Sequence, residues 1–112
     1  MSEPDFPKYM PGNWNRVGRK LFERFSNDSG LPNWQRIAFY CYAHMRRDNH
    51  CPIPAGFLAD LLGCSDAHAA RYVKSAVAKG WLAHGSTVRC LVAPIEVSYG
   101  AGNYVAKDCP HH

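Results

Sequence analysis

Residues 58–82 read LADLLGCSDAHAARYVKSAVAKGWL, and this stretch predicts two helices separated by a very short turn. Three leucines have helical spacing before Gly63, a residue type that readily takes the left-handed conformation found at helix ends. Ser65 is a favourable N-cap for a second helix over residues 66–79. A short helix, a tight turn and a longer helix together hold the second helix at a steep angle to the first.

The second helix has two different faces. Its apolar residues recur at helical spacing and are expected to point inward: Ala69, Val73, Ala76 and Val77. The outward face combines small residues, which permit close approach, with long side chains that donate hydrogen bonds. Its members are Asp66, Ala67, His68, Ala70, Arg71, Lys74 and Ser75. Because arginine matches guanine O6 and N7, this face is a candidate DNA-reading surface; the alternative is an ordinary solvated face of a helical bundle.

The segment after this helix predicts a β-hairpin over residues 81–92. Its two apolar stretches, 81–84 and 87–92, are joined by Gly85 and Ser86, and the second stretch alternates as a strand with one buried face does. Ser86, Thr87 and Arg89 lie near the tip of this hairpin and are candidates for nucleic-acid contacts. Arg89 is the best placed for a phosphate or a narrow groove, unless it is simply a surface residue of a strand.

The ungapped pattern resembles the helix-turn-helix of winged-helix DNA-binding proteins over residues 33–93. Ala59 occupies the small-residue position between the helices, Gly63 the turn and Ser65 the cap, and Gly80-Trp81-Leu82 matches the entry to the wing. The resemblance implies a mainly α fold with a small β-hairpin, a winged helix-turn-helix with an additional N-terminal helix. It also implies a sequence-specific transcriptional regulator that places helix 66–79 in the major groove of double-stranded DNA, and wing 81–92 on the backbone or minor groove.

The C-terminal third resembles the small helix-turn-helix proteins of actinobacterial phages. These proteins often carry a Cys-Leu-Val-x-Pro strand, then a glycine-rich stretch and a late Cys-Pro-x-His. Residues 90–94, 100–102 and 109–112 of this chain follow that order. The resemblance implies a phage-encoded regulator and does not name its operator.

Two helices are expected before this unit, which gives an irregular arm at 1–12, a domain at 13–94 and a flexible tail at 95–112. The first helix begins near Asn13, with an apolar stripe of Trp14, Val17, Leu21 and Phe25; the second begins at Pro32 or Asn33 and has Arg46 and Arg47 in its last turn. Candidates for phosphate contacts are Arg16, Lys20, Arg24, Arg46 and Arg47. These helices are also rich in aromatic residues, which leaves open two alternatives: a winged-helix module that binds a host protein, and a homodimer formed through the N-terminal helices. A weaker alternative is a replication or excision accessory factor.

Composition excludes several other classes of protein. The 112 residues are 46% hydrophobic and 12% aromatic, which is too apolar for a disordered chain, and no apolar run approaches the ~18 residues of a membrane span. The start lacks the features of a secretory signal, so we expect a cytoplasmic location. The formal net charge of +4 is mild, and it matters mainly because much of it falls on the second helix of the pair and the segment that follows it.

The sequence contains no convincing catalytic or metal-binding constellation, so we expect neither enzymatic activity nor a cofactor. It has no nucleophile elbow, no P-loop and no His-Glu-x-x-His motif. The five cysteines form no Cys-x2-Cys pair, and Cys41 and Cys64 occupy positions typical of small core residues. Weak candidates for metal ligands remain at Cys90, Cys109, His111 and His112.

Overall fold

The computed structural model describes residues 17–97, within which it places four helices and one two-stranded antiparallel sheet. In chain order the elements are α1 (Arg19–Ser26), α2 (Asn33–His44), β1 (His50–Pro52), α3 (Phe57–Leu62), α4 (Asp66–Ala78) and β2 (Cys90–Val92). The mainly α architecture with a small antiparallel sheet confirms the fold class at this coarse level. The predicted arm at 1–12 and all but the first three residues of the tail at 95–112 lie outside this range.

None of the helices between residues 17 and 97 is both long enough and apolar enough to cross a membrane.

Helix α2 forms the centre of the core, as its wide apolar face predicts. Ile37, Ala38 and Cys41 are completely buried, and they pack in one cluster with Val73 of α4 and Leu91 of β2. A helix that contacts α1, α4 and both strands has few positions left for solvent, so its apolar face has to be wide.

Helix α1 differs from its predicted apolar stripe. Val17 precedes the helix and is 48% exposed, and Leu21 is 36% exposed. Phe25 of the predicted stripe does contact α2, its ring lying 5.1 Å from that of Phe39, and Phe22, which was not in the stripe, joins it at 5.8 Å from the same ring. The helix is therefore rotated toward Phe22 and away from Leu21, because a phenylalanine ring buries more apolar area than a leucine and packs against other rings. The predicted positions before Val17 lie outside the described range.

Helix α2 ends at His44, so the prediction that Arg46 and Arg47 lie in its last turn is wrong. The backbone turns to an extended conformation at Met45, and the Arg46 N–H donates to His50 O at 2.8 Å instead of continuing the helix. The Arg19 guanidinium donates to the carbonyls of Ala43 and Met45, at 3.1 and 2.9 Å. A cation at the C-terminal end of a helix interacts favourably with the helix dipole, and Arg19 supplies that cation for α2.

The sheet joins β2 to a partner other than the predicted one. Cys90, Leu91 and Val92 pair with β1, in the register Pro52–Cys90, Cys51–Leu91 and His50–Val92. From the sequence, Pro52 and Pro54 predict only that a helix cannot continue through this stretch. Proline is tolerated in a strand whose outer edge is unpaired, which is the position that Pro52 occupies in this two-stranded sheet.

Residues 81–84 form no strand and the strand predicted over 87–92 is shortened to 90–92, so the predicted 81–92 hairpin is wrong. Cys90, Leu91 and Val92 are all buried, so the alternation expected of a strand with one buried face is absent as well. The backbone N–H groups of Trp81 and Leu82 donate to Ala76 O, at 2.9 and 3.3 Å, and close the end of α4. Trp81 O in turn accepts from the Tyr42 hydroxyl at 2.6 Å. Because these backbone groups already have partners, they are not available for a ladder with β2. Only Ala83 reaches it, donating to Val92 O at 2.8 Å.

The turn between α2 and β1 depends on Asn49, which is 2% exposed and has φ of 67°. Asparagine tolerates this left-handed conformation better than most residues. Its side-chain Nδ2 donates to Ala93 O at 3.1 Å, and its own carbonyl accepts from the Ala93 N–H at 2.9 Å. Asn49 thereby attaches the turn to the chain just after β2.

Replacing Asn49 by alanine should lower the free energy of unfolding by about 2 kcal/mol. The substitution removes a buried hydrogen bond, and it forces alanine, whose Cβ disfavours this conformation, to keep a positive φ. Urea denaturation measures this change. Asn49→Gly is the matched control, since it loses the same hydrogen bond and relieves the backbone strain. We expect Asn49→Gly to be the more stable variant; the reverse order would contradict the role of φ.

Candidate nucleic-acid interface

Helices α3 and α4 are joined by a turn that hydrogen bonds fix closely. Gly63 has φ of 67°, the Cys64 N–H donates to Ala59 O at 3.0 Å, and the Gly63 N–H donates to Asp60 O at 3.3 Å. This pair of bonds defines a Schellman motif, which satisfies carbonyls at the end of α3 and reverses the chain within two residues. The short helix and tight turn predicted from the sequence are therefore present. Gly63 cannot be replaced without strain, because its φ disfavours L residues.

Ser65 caps α4 as predicted. Its backbone is extended, and its Oγ accepts from the His68 backbone N–H at 3.2 Å. The same Oγ lies 2.9 Å from Nδ1 of the His68 ring. Sequence reasoning treated Ser65 only as a cap and missed its contact with His68. The signal for it is the three-residue spacing, which is that of a capping box with histidine in place of glutamate.

The two faces of α4 lie where the sequence predicts them. Ala69, Val73 and Ala76 are buried in the core cluster, and Val77 is half-buried against it. The outward set is accessible: Asp66, Ala67, His68, Arg71 and Lys74 are exposed, and Ala70 and Ser75 are half-buried. The structure thus brings all seven predicted residues of this helix to one accessible side.

The cations on this face are not neutralised by neighbouring carboxylates. Within residues 17–97 the ion pair that meets a 4.0 Å limit joins Arg46 to Asp48, at 3.1 Å, and involves neither Arg71 nor Lys74. At the far end of α4, Lys79 has a different environment, because its Nζ lies 5.1 Å from the centre of the Trp34 ring. Arg71 and Lys74 therefore keep their guanidinium and ammonium groups available to an anionic partner.

The predicted tip residues 86, 87 and 89 lie in a loop that follows α4. The hydroxyl groups of Ser86 and Thr87 are both hydrogen-bonded within this loop. Ser86 Oγ donates to Ala83 O at 2.8 Å and accepts from the Val92 N–H at 2.9 Å, and Ser86 is half-buried. Thr87 is exposed, but its Oγ1 accepts from the N–H groups of Arg89 and Cys90, at 3.2 and 3.1 Å. Both hydroxyls therefore shape the loop itself.

Arg89 is exposed and is held in place by one bond. Its Nε donates to Ile53 O at 3.0 Å, between β1 and α3. A guanidinium has five N–H donors, so a single bond to a carbonyl orients the group while the others stay accessible. Of the three predicted tip residues, Arg89 is the one whose polar group best suits a phosphate contact.

The predicted phosphate-contacting residues outside α4 are dispersed. Lys20 and Arg24 are exposed on α1, which packs against α2, whereas α4 packs against α2 and α3. Arg46 and Arg47 are exposed in the turn after α2, where Arg46 is bound to Asp48. Arg16 lies outside the described range.

The cysteines lie mostly in the core. Cys41, Cys51 and Cys90 are buried, and Cys64 is half-buried against the core cluster. Burial raises the pKa of Cys41. A hydrogen bond with the Cys41 thiol lowers the pKa of Cys51. Cys90 Sγ lies 3.6 Å from His50 Nδ1, a buried contact that the sequence did not suggest.

Between residues 17 and 97 no three metal-binding side chains come together. Of the weak candidates for metal ligands, Cys90 is buried on β2, whereas Cys109, His111 and His112 lie outside that range.

Comparison of the chain with protein-family models, with curated proteins and with solved structures finds no match. The interpretation of the α3–α4 surface therefore rests on its own residues.

Proposed function

We propose that the chain is a winged helix-turn-helix transcription regulator that binds double-stranded DNA sequence-specifically, with α4 in the major groove. The observation that carries this proposal is the exposed face of α4. It presents Arg71 and Lys74, which form no ion pair with a carboxylate among residues 17–97, beside residues small enough to approach a base edge. The major groove is about 12 Å wide and admits one helix.

The arrangement of α4 suits the entry of its N-terminal half into a groove. Ala67 and Ala70 lie on the outward side near this end, and Arg71 follows within one turn. Small side chains let the helix backbone approach the base pairs, and arginine then spans the remaining distance to guanine. The Schellman turn and the Ser65 cap fix this end of the helix before any partner binds.

Residues 81–92 complete the proposal as a loop and strand beside α4, in place of a regular wing. Arg89 is the residue of this segment proposed to contact the backbone or the minor groove, and its bond to Ile53 O orients it in advance. Lys20, Arg24 and Arg47 are proposed to contact phosphates more loosely. Phosphate contacts supply affinity with a slope of about −0.9 in log K against log salt for each phosphate neutralised.

A second candidate function is a protein-binding module, and the exposed side of α1 favours it. Leu21 of α1 and Val17, just before the helix, are exposed apolar residues, and such residues are suited to contact with a host protein or with a second copy of the chain. The aromatic residues of α1 and α2 argue less for this function, because Phe22, Phe39 and Trp81 pack against one another.

Selection from a pool of random double-stranded DNA, followed by titration at ~150 mM salt, tests the proposal. Sequence-specific binding predicts an enriched site that is bound at least ~10³-fold more tightly than random DNA. A protein-binding module predicts no enriched site at this salt concentration, because weak contacts with phosphates are screened. The footprint on the enriched site also distinguishes a monomer from a dimer, since a dimer protects two half-sites about one helical turn apart.

Arg71→Ala should weaken binding to the selected site by about 1–3 kcal/mol and leave binding to random DNA almost unchanged, because a guanine contact is specific to one sequence. Lys74→Ala should weaken binding to both DNAs by a similar factor, as loss of a phosphate contact does. Titration of each variant with both DNAs measures the difference.

Lys79→Ala is the matched control for these two variants, since it removes one positive charge from the same helix at its far end. It should change the affinity for either DNA less than Lys74→Ala does. Equal losses at the selected and the random DNA for Arg71→Ala would contradict its role in reading sequence.

A further inference from the structure

The ring of His68 is held by the residue that caps its own helix. Ser65 Oγ accepts from the His68 backbone N–H at 3.2 Å and lies 2.9 Å from the ring Nδ1. The ring is otherwise exposed, on the outward face of α4 and three residues before Arg71. One hydroxyl thus binds both the backbone and the side chain of His68, so the ring is oriented before any partner arrives.

This contact favours one tautomer of the ring. A serine hydroxyl has a single hydrogen, and a hydroxyl that accepts a bond becomes a better donor. Ser65 Oγ accepts from the backbone N–H of His68 and lies 2.9 Å from Nδ1, and cooperativity along this chain of bonds favours the arrangement in which the hydroxyl hydrogen is directed to Nδ1. In a neutral imidazole that accepts at Nδ1, the proton is on Nε2. The atom of His68 left facing solvent is then an N–H donor.

We propose that His68 is a specificity-determining residue that selects guanine through this fixed Nε2–H donor, an inference that rests on the proposed binding of DNA by α4. In the major groove guanine presents two acceptors, N7 and O6. Adenine presents an acceptor beside a donor, cytosine presents a donor, and thymine presents an acceptor beside a methyl group. A single fixed donor is therefore best matched by the guanine edge.

The substitution Ser65→Asp tests the direction of the bond. Aspartate is as good an N-cap as serine, so α4 keeps its first turn. A carboxylate cannot donate, however, so Nδ1 must then carry the proton and Nε2 becomes an acceptor in the neutral ring. The base preferred at the position read by His68 should change from guanine to cytosine or adenine, whose edges carry an amino donor.

The experiment is a selection from random duplexes with the wild type, His68→Ala and Ser65→Asp, all at the same mildly alkaline pH of ~8. The wild type should bind duplexes with guanine at one position about five-fold to ten-fold more tightly than duplexes with another base there, which is the contribution of one hydrogen bond. His68→Ala should lose that preference. Comparing the four bases within each variant removes the general loss of affinity caused by the added carboxylate.

A second measurement does not depend on DNA. Long-range proton–nitrogen NMR on the free protein reports which ring nitrogen of His68 carries the hydrogen. We expect protonated Nε2 in the wild type and protonated Nδ1 in Ser65→Asp. Circular dichroism verifies that each variant is folded, and if Ser65→Asp is not, His68→Ala and the wild-type NMR spectrum still decide the question.

The outcomes separate the two proposals. An enriched site whose base preferences are the same in His68→Ala overturns the role of His68 and leaves the DNA-binding function standing. A wild-type ring protonated at Nδ1 does the same. Absence of any enriched site for the wild type overturns the proposed function, and the guanine preference with it.

Discussion

Replacing Arg36 by alanine should lower the free energy of unfolding by about 3 kcal/mol, an unusually large effect for an arginine. Arg36 is only 8% exposed, in the second turn of α2. Its Nε donates to Ser26 O at 2.9 Å, and its terminal nitrogen Nη2 donates to Leu61 O at 3.2 Å. The truncation removes both bonds and the packing of the aliphatic stem, and it leaves two carbonyls without this donor.

The two acceptors explain why a buried cation is tolerated here. Ser26 is the last residue of α1, and Leu61 lies in the last turn of α3. Carbonyls at helix ends lack partners within the helix and carry the negative end of the helix dipole. Arg36 therefore neutralises two helix ends at once and attaches α3 to α2, which also fixes the start of the α3–α4 unit.

Two variants make the Arg36 prediction specific, with urea denaturation as the measurement. Arg36→Lys should lose about 1–2 kcal/mol, because an ammonium has no rigid fork to span two carbonyls. Arg47→Ala removes an equal charge from an exposed position and should change stability by less than about 0.5 kcal/mol. Similar losses for Arg36→Ala and Arg47→Ala would show that the buried bonds contribute little.

The second large effect is on stability at alkaline pH and involves Tyr42. This residue is 4% exposed, and its hydroxyl donates to Trp81 O at 2.6 Å. Burial raises the pKa of Tyr42 well above that of a free tyrosine, and the neighbouring Cys41 raises it further. Ionisation is thus disfavoured in the folded state and unhindered in the unfolded chain.

The raised pKa of Tyr42 fixes the direction of the pH dependence. Its contribution to stability is complete below a pH of about 10, where the unfolded tyrosine is protonated, and it is lost as the pH rises toward the folded-state pKa. Within that window the loss is about 1.4 kcal/mol for each pH unit.

Tyr42→Phe should therefore be less stable than the wild type at pH ~7 by about 1.5 kcal/mol, since Trp81 O loses its donor. The difference should shrink above pH ~10 and vanish near pH ~11. Urea denaturation of both proteins at pH ~7, ~9, ~10 and ~11 measures it, and groups present in both proteins cancel in the difference. A difference that stays constant up to pH ~11 would sink the assignment.

The turn and the cap of the α3–α4 unit are local signals, and the structure contains both. Gly63 and Ser65 each act within a few residues of the chain, so turn and cap chemistry suffices to place them. The two faces of α4 likewise follow from a period that its own residues display. The predicted site on α4 was accessible to sequence reasoning because it depends on one helix.

Two of the predictions that failed, the partner of β2 and the strand at 81–84, depend on residues far apart in the chain. The partner of β2 is β1, about 40 residues earlier, and nothing in the sequence near Cys90 indicates that pairing. Trp81 has a strand-like neighbourhood, but its N–H and carbonyl bind to Ala76 and Tyr42 instead. Tertiary contacts decide such short segments, because three residues carry little preference of their own.

The pairing of Pro52 with Cys90 brings the two ends of segment 53–89 next to each other. Closing a loop of this length costs about 3 kcal/mol of chain entropy, which places the sheet among the costly events of folding. Once the sheet has formed, α3 and α4 lie within a segment whose two ends are adjacent in space. This geometry defines what a replacement for residues 53–89 needs: another helix pair has to have adjacent ends and has to supply the apolar residues that pack against α2.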